Sequence, residues 1–183
     1  DLAIAEGITT AGQLSIRWIE KKINQYLNKL LKTNKDYVIA SDTDSIYVTF
    51  DKLVEQVNPN NPIDFLDTIA KEKIEPFIDK SYKQLADYTN AYDQKMQMKR
   101  EVIADKGIWT AKKRYILNAW DVEGVRYQEP QLKIMGIEAV KSSTPAPCRQ
   151  KIKEALKIIM SGSEKELNDF LIAFRKEFDS LPP

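Results

Sequence analysis

The segment YVIASDTDSIYVTF, residues 37–50, places two carboxylates between two runs of β-branched and aromatic residues. Runs such as YVIA and SIYVTF are typical of short strands, and the Asp- and Thr-rich residues between them are typical of a turn. The segment therefore predicts a β-hairpin with Asp42 and Asp44 at its tip. Two interpretations of these acids stay open. Mg²⁺ is commonly held by one or two carboxylates together with the phosphates of a substrate, but Asp is also an ordinary turn former.

Helical patterns lie on both sides of this hairpin. Residues 8–32 predict a long amphipathic helix, because their apolar positions recur every three or four residues, at Ile16, Ile19, Ile23, Leu27 and Leu30. Residues 62–92 predict a second helix, which Asn61 caps and Pro62 opens, and Pro76 is expected to kink it or split it. The buried face of this helix is predicted to comprise Ile63, Leu66, Ile69, Ile74, Phe77, Ile78, Leu85 and Tyr88.

The second half of the chain predicts strands and then helices. The segments MQMKREVIA (96–104), GIWTAKKRYILNAWD (107–121) and GVRYQEPQLKIMGI (124–137) are rich in β-forming residues, with turn signals at residues 105–107 and 121–124. They predict three antiparallel strands. After SSTPAP (142–147) the helical spacing returns, breaks at SGS (161–163) and resumes, with Ser163 and Glu166 forming a capping box. The predicted fold class is therefore α+β with a helical pair at the end.

Composition excludes several kinds of chemistry. The 183 residues are 43% hydrophobic and contain no histidine and one cysteine, Cys148. Internal disulfides, Cys/His zinc sites and Ser-His or Cys-His catalysis within this chain are therefore excluded. No apolar run approaches the roughly 18 residues of a membrane span, and a signal peptide is absent, so we expect a soluble intracellular protein with no membrane partner. The first residue is not methionine, which suggests one piece of a larger protein.

Basic residues are concentrated in residues 94–141, which hold ten Lys and Arg against six Asp and Glu. Within them, WTAKKRY (109–115) mixes cations with aromatics. If it is a strand, Lys112 and Arg114 point to one face, and Lys113 and Tyr115 point to the other. Such a run suits contact with a nucleic-acid backbone, but an exposed edge strand that uses lysines against aggregation is an equal alternative.

A third segment, KIMGIEAVKSSTP (133–145), places Lys133 and Lys141 on either side of Gly136. Glycine permits a close backbone approach, and Glu138 is placed to orient either lysine. The alternative is a plain connection from strand to helix, with Ser and Thr as helix caps.

Taken in order, SDTDSIYV, AKKRY and KIMGIEAVKSSTP resemble the later palm motifs of B-family DNA-directed DNA polymerases. The surrounding sequence is similar to the replicative polymerases of T-even-type bacteriophages over nearly the whole chain. The resemblance implies a polymerase palm, an antiparallel sheet backed by long helices, at residues 1–141. It also implies the helical beginning of a thumb at residues 142–183.

By this resemblance, Asp44 is the principal ligand of two Mg²⁺ ions and a catalytic residue, with Asp42 in a supporting catalytic and metal-binding role. The family motif has Tyr and Gly before Asp-Thr-Asp-Ser, where this chain has Ala40 and Ser41. Because Ser41 lacks the freedom of glycine at positive φ, we expect a change in the local hairpin geometry.

The resemblance also implies DNA contacts. Lys113 matches the lysine that touches the minor groove near the primer terminus, where the acceptors are common to all base pairs. The third motif departs from the family pattern in one place, where Lys141, Ser142 and Ser143 replace Arg-Arg-Asp. The full set of implied DNA-binding residues is Lys112, Lys113, Arg114, Tyr115, Lys133 and Lys141, and Glu101 resembles an acid near the same active site.

The implied reaction is two-metal nucleotidyl transfer to a primer 3′-hydroxyl, as part of DNA replication. Its partners are primer–template DNA, deoxynucleoside triphosphates and a sliding clamp, in the cytoplasm of a host cell if the source is viral. An exonuclease, the first palm strand with its second catalytic aspartate, and the fingers are expected upstream of Asp1, so the isolated chain is expected to be inactive. The alternatives are one half of a split polymerase, a non-catalytic nucleic-acid-binding module, and a nucleotide-sugar transferase with an Asp-x-Asp metal site.

Overall fold

The structure, a computed structural model, describes residues 1–180 of the chain. It contains two compact units, which divide between Glu101 and Val102. The chain mixes helices with small antiparallel sheets and is compatible with the predicted α+β class. The division into palm and thumb at residue 141 stays a prediction. In the described part of the chain, no helix combines the length and the apolar character that crossing a membrane requires.

The first unit consists of helices around one hairpin. A π-helical segment, Ala70–Ile74, connects the third and fourth helices. The elements are α1 (Leu2–Leu31), β1 (Val38–Asp42), β2 (Ser45–Val48), α2 (Asp51–Val57), α3 (Pro62–Ile69) and α4 (Glu75–Tyr88). The short helix α2 was not predicted, and it buries a single residue, Leu53.

Helix α1 confirms the predicted amphipathic helix and extends it toward the N-terminus. The carboxylate of Asp1 accepts a hydrogen bond from the Ala3 amide at 2.9 Å and caps the helix. Ile19, Ile23 and Leu27 are fully buried, as predicted. The prediction that Leu30 belongs to the core is wrong, since its side chain is 52% exposed and the next residue, Leu31, is buried in its place.

The predicted interruption at Pro76 is present. Because Pro76 has no backbone N–H, the helix cannot continue its regular hydrogen bonding through this residue. The chain accommodates the proline by widening to a π-helix just before it, and the Glu75 amide bonds to the Ala70 carbonyl five residues back. Asn61 caps α3 as predicted, but α4 ends at Tyr88, which is 80% exposed and was wrongly placed in the core.

The second unit consists of one meander sheet and two helices. Strands β3 (Val102–Ala111), β4 (Arg114–Val122) and β5 (Val125–Met135) pair antiparallel in the order β3-β4-β5. A 3₁₀ turn, Glu138–Val140, follows the sheet. Helices α5 (Ala146–Ser161) and α6 (Glu164–Asp179) end the described chain.

Three antiparallel strands are present as predicted, but the predicted segment 107–121 is divided between β3 and β4, and the predicted turn at residues 105–107 is wrong. Gly107 lies inside β3 opposite Leu117, and a Cβ built on it would approach the Trp109 ring to 2.7 Å. The glycine therefore makes room for the Trp109 and Leu117 side chains and does not mark a turn. The segment before Val102 is not a strand, whereas the turn at residues 121–124 is confirmed, with Glu123 and Gly124 at positive φ.

Helix α5 covers the sheet. Ile116 of β4 packs with Ile137 and Ala139 and with Leu156 and Met160 of α5. Lys106 donates a hydrogen bond to the Met160 carbonyl at 2.6 Å, which places a cation at the C-terminal end of α5. The capping box of Ser163 and Glu166 opens α6 as predicted.

Candidate functional site

The hairpin of the first unit carries its two acids at the tip, as predicted. Asp42 ends β1 opposite Ser45, so the turn is shorter than expected and consists of Thr43 and Asp44. The Thr43 hydroxyl donates to Asp42 Oδ1 at 3.0 Å, and the Ser45 hydroxyl donates to the Asp42 carbonyl at 3.1 Å. These short-range bonds fix the backbone around the acids.

Ser41 does not need the positive φ that glycine would permit at this position. Ser41 pairs with Ile46 inside the strand, and the residue at positive φ in this turn is Thr43, with φ of 50°. The left-handed conformation is uncommon for a β-branched residue. Glycine at position 41 is therefore not needed for this hairpin, because the position that demands the unusual φ comes two residues later.

Asp44 is exposed and lies near helix α4. Burial raises the pKa of Tyr82 above its ordinary value of 10.0, and the negative charge of Asp44 raises it further. Tyr82 is 3% exposed and belongs to the core that α1 and α4 share. The hairpin tip thus presents one solvent-facing carboxylate, Asp44, beside a partly buried one, Asp42.

Carboxylate oxygens are the donors that Mg²⁺ prefers, so Asp42 and Asp44 suit this ion chemically. Among residues 1–180, no group of three or more possible metal-ligating side chains is present. The described chain therefore supplies at most two carboxylates to a divalent cation at the hairpin tip. Glu101 lies elsewhere in the same unit, is exposed and directly precedes β3.

The basic run of the second unit forms a turn and not a strand. Lys112 and Lys113 connect β3 to β4, and Lys113 has φ of 61°. The predicted alternation of side chains between two faces is therefore wrong for this run, because a hairpin reverses the chain at its centre. Tyr115 is 5% exposed, and its ring centroid lies 6.4 Å from that of Trp109, its cross-strand neighbour.

Gly136 makes the close backbone approach that was predicted, and its partner is the basic turn. Gly136 has φ of 67°, and a Cβ at this position would lie 2.2 Å from the Lys113 carbonyl oxygen. Only glycine fits here without movement of the Lys113 backbone. The second and third motifs of the sequence are therefore in direct contact.

Glu138 connects the same two motifs through charge. Nη2 of Arg114 donates to both of its carboxylate oxygens, at 2.8 and 2.6 Å, and Nζ of Lys141 donates to Oε1 at 3.2 Å. The prediction that Glu138 orients a lysine is confirmed for Lys141. The pKa of Glu138 lies below its ordinary 4.5. The largest cause is a hydrogen bond from its own backbone amide, followed by the Lys141 hydrogen bond and the charges of Arg114 and Lys141.

The structure thus brings Lys113, Arg114 and Lys141 together around Gly136 and Glu138 in the second unit. Asp42 and Asp44 lie at one hairpin tip of the first unit. Lys133 lies on β5 opposite Leu117 and is partly buried. The Arg114–Glu138 ion pair was not predicted, because its members are distant in sequence and no local spacing signals them.

Comparison with known proteins gives two extensive matches. The chain is 45% identical over 179 residues to the DNA-directed DNA polymerase of Escherichia phage RB69, covering 90% of this chain and 20% of that protein. It is 41% identical over an aligned length of 196 residues to the DNA-directed DNA polymerase of Enterobacteria phage T4, covering 99% of this chain and 22% of that protein.

The chain spans about a fifth of the length of the curated relatives it matches. No family model matches it. The two matches confirm the resemblance that the three motifs carry. Over most of its length the chain is therefore homologous to a segment of the DNA-directed DNA polymerases of phages RB69 and T4.

Proposed function

We propose that this chain acts as the palm segment, with the beginning of the thumb, of a template-directed DNA polymerase. The observation that carries the proposal is the 45% identity to a phage DNA-directed DNA polymerase over 90% of the chain. The exposed acidic turn and the separate basic turn support it, because nucleotidyl transfer requires both oxygen ligands for cations and cationic contacts for DNA.

In this proposal Asp44 is the principal Mg²⁺ ligand and Asp42 the supporting one. The bound ions supply activation of the primer 3′-hydroxyl and neutralisation of charge on the triphosphate. The residues of this turn hold the two carboxylates in position. The hydrogen bonds of Asp42 to Thr43 and Ser45 hold its backbone and carboxylate in place, and the exposed Asp44 faces solvent where a ligand can enter.

DNA contact is assigned to the lysines. Lys112 and Lys113 lie at the end of a hairpin. Lys141 is exposed, and its hydrogen bond to Glu138 keeps it near Arg114, the residue that follows this turn. Lys113 is proposed to touch the minor groove near the primer terminus, where its contacts depend on base-pair shape and not on sequence. Lys133 is a further candidate contact. The burial of Tyr115 favours a supporting role for its ring beneath the turn.

The whole polymerase is proposed to bind primer–template DNA and deoxynucleoside triphosphates and to engage a sliding clamp, in the host cytoplasm. It is proposed to include an exonuclease, a first palm strand and fingers. Since the described chain offers only two carboxylates at the turn, we expect that it does not extend primers alone.

Calorimetric titration of the chain with Mn²⁺ tests the acidic turn directly. Asp44→Asn is expected to lower cation affinity about tenfold or more, because one carboxylate is lost from a site that has two. The matched control is Asp79→Asn, which removes an equally exposed carboxylate from α4. Equal Mn²⁺ binding by the chain and by Asp44→Asn would contradict the metal-binding role and favour the alternative of a non-catalytic nucleic-acid-binding module.

A primer-extension assay with Mg²⁺ and all four triphosphates tests the proposal that the chain does not extend primers alone. The chain alone is expected to produce no extension. Robust extension by the chain alone would contradict the proposal that it needs the rest of the polymerase. Extension that appears only after addition of a separate polypeptide with the other polymerase segments, and that Asp44→Asn abolishes, would favour the alternative of a split enzyme.

A further inference from the structure

We propose that Arg114 and Glu138 are positioning residues that hold the Lys112–Lys113 turn and Lys141 together as one cationic surface. In this role Arg114 acts through the turn, and it does not itself contact DNA. The inference rests on the proposed function, because it takes primer–template DNA as the ligand of that surface.

The first observation is the geometry of the ion pair. A single nitrogen of Arg114, Nη2, donates to both oxygens of Glu138 at 2.8 and 2.6 Å. Nε of the same guanidinium is buried and meets no hydrogen-bond acceptor among residues 1–180. The pairing engages the Nη2 donors of the guanidinium and fixes the Arg114 side chain against the segment that contains Gly136 and Glu138.

The second observation is that Glu138 is shared. Its Oε1 also accepts a hydrogen bond from Nζ of Lys141 at 3.2 Å. One carboxylate therefore keeps two cations near each other that would otherwise repel, and one of them follows Lys113 directly in the chain. Glu138 stays ionised at neutral pH, because its pKa is lowered by hydrogen bonds and by these charges.

The third observation is backbone contact, independent of charge. Gly136 lies against the Lys113 carbonyl so closely that a Cβ would come within 2.2 Å of that oxygen. The pairing of Tyr115 with Met135 brings the start of β4 and the end of β5 into register next to this contact. The turn is therefore held by the segment that contains Glu138 at two points, one steric and one ionic.

The sign of one substitution distinguishes positioning from direct contact. If Arg114 bound phosphate itself, Glu138→Gln would remove a competing negative charge and strengthen DNA binding. If Glu138 positions the turn, the same substitution weakens binding although the chain becomes more positive. Simple electrostatics and positioning thus predict opposite changes.

The experiment measures binding of the whole chain to a fluorescently labelled primer–template duplex at low salt, by anisotropy. Glu138→Gln and Arg114→Gln are each expected to weaken binding about fivefold, and the double variant no more than either single one, as for members of one network. The control Glu129→Gln removes an exposed carboxylate from β5 and is expected to leave binding equal or slightly tighter.

Hydrogen exchange of the same variants provides a readout that does not depend on DNA. The amides of the Lys112–Lys113 turn are expected to exchange faster in Glu138→Gln and unchanged in Glu129→Gln. Equal or tighter DNA binding by Glu138→Gln, or unchanged exchange in the turn, would overturn the positioning role. Failure of the wild-type chain to bind DNA, or equal binding by Lys113→Ala, would contradict the proposed DNA-binding function. In that case the hydrogen-exchange result alone decides whether Glu138 holds the turn.

Discussion

At the scale of single residues, the two turns that carry the candidate chemistry share one backbone feature. Each has a non-glycine residue in the left-handed region, Thr43 with φ of 50° and Lys113 with φ of 61°. Two-residue hairpin turns favour positive φ because it matches the twist of the flanking strands. The cost is about 1–3 kcal/mol for each such residue. In both turns this conformation lies at the outermost point of a hairpin, where a charged neighbour reaches solvent.

Asp67 illustrates how one carboxylate stabilises the segment that leads to β3. It accepts hydrogen bonds from Lys71 at 2.8 Å and from Arg100 at 2.6 Å, and the Arg100 side chain is only 10% exposed. The pKa of Asp67 lies below its ordinary 3.8. The Lys71 hydrogen bond is the largest cause, and together with the Arg100 hydrogen bond and both positive charges it outweighs the effect of desolvation. Ionised Asp67 therefore favours the folded state.

We expect Asp67→Asn to reduce the free energy of unfolding by about 1–2 kcal/mol at pH 7, because Arg100 loses a charged partner. The effect depends on pH. A carboxylate with a lowered folded pKa contributes its full stability above the unfolded value, and loses it as the pH falls through the folded pKa. Urea unfolding at pH 7 and pH 3 measures this difference. A gap between wild type and Asp67→Asn that stays constant down to pH 3 would contradict the ionic origin.

At the scale of elements, local sequence signals decide where helices begin. Ser163 caps α6 by accepting from the Glu166 amide at 3.3 Å, while the Glu166 side chain accepts from the Ser163 amide at 2.6 Å. Between α5 and α6, Lys151 donates to Glu177 at 2.8 Å, and its ammonium lies 5.7 Å from the Phe174 ring centroid. Helix α6 thus depends on its cap and on polar contacts, since none of its residues is buried.

Removal of the cap is therefore expected to destabilise α6. Ser163→Ala is expected to reduce the free energy of unfolding by about 1 kcal/mol, the usual value of an N-cap side chain. The control is Ser161→Ala two residues earlier, because the Ser161 hydroxyl donates back to the Lys157 carbonyl of its own helix. Hydrogen exchange in the first turn of α6 provides the measurement. Equal exchange in the two variants would show that the capping box contributes no stability.

At the scale of the whole molecule, the net charge is small and the excess of basic residues is local. The formal net charge is +1, while residues 94–141 contain four more basic than acidic residues. Long-range attraction of the whole chain for DNA is therefore weak, and binding depends on local cations. Such binding falls steeply with salt, because each phosphate contact releases condensed counterions.

We expect Lys113→Ala and Lys141→Ala each to weaken binding to a primer–template duplex about tenfold at low salt and to reduce the salt slope by about one. Lys165→Ala, an exposed lysine on α6, is the matched control and should leave both quantities unchanged. Anisotropy titrations over a salt series measure them. Identical slopes for all three variants would show that binding is diffuse over the surface.

Much of the fold could be predicted from the sequence, because periodicity, caps and prolines act within a few residues. The pattern of α1, the Asn61 and Ser163 caps, the interruption before Pro76 and the acidic hairpin tip are all local properties. The turn between β3 and β4 was placed at Gly107 for the same local reason, and wrongly. That glycine makes room for Trp109 of its own strand and for Leu117 of β4, and Leu117 lies next to it only once the strands have paired.

For the candidate site, the sequence by itself determined the residue types, their order and their similarity to phage DNA-directed DNA polymerases. Only the tertiary structure decided that Lys113 occupies a turn, that Gly136 packs against its carbonyl, and that Glu138 binds both Arg114 and Lys141. The physical reason is that these contacts join residues more than twenty positions apart, with the exception of Glu138 with Lys141. Their strength comes from distances that strand pairing sets, and no local pattern in the chain encodes those distances.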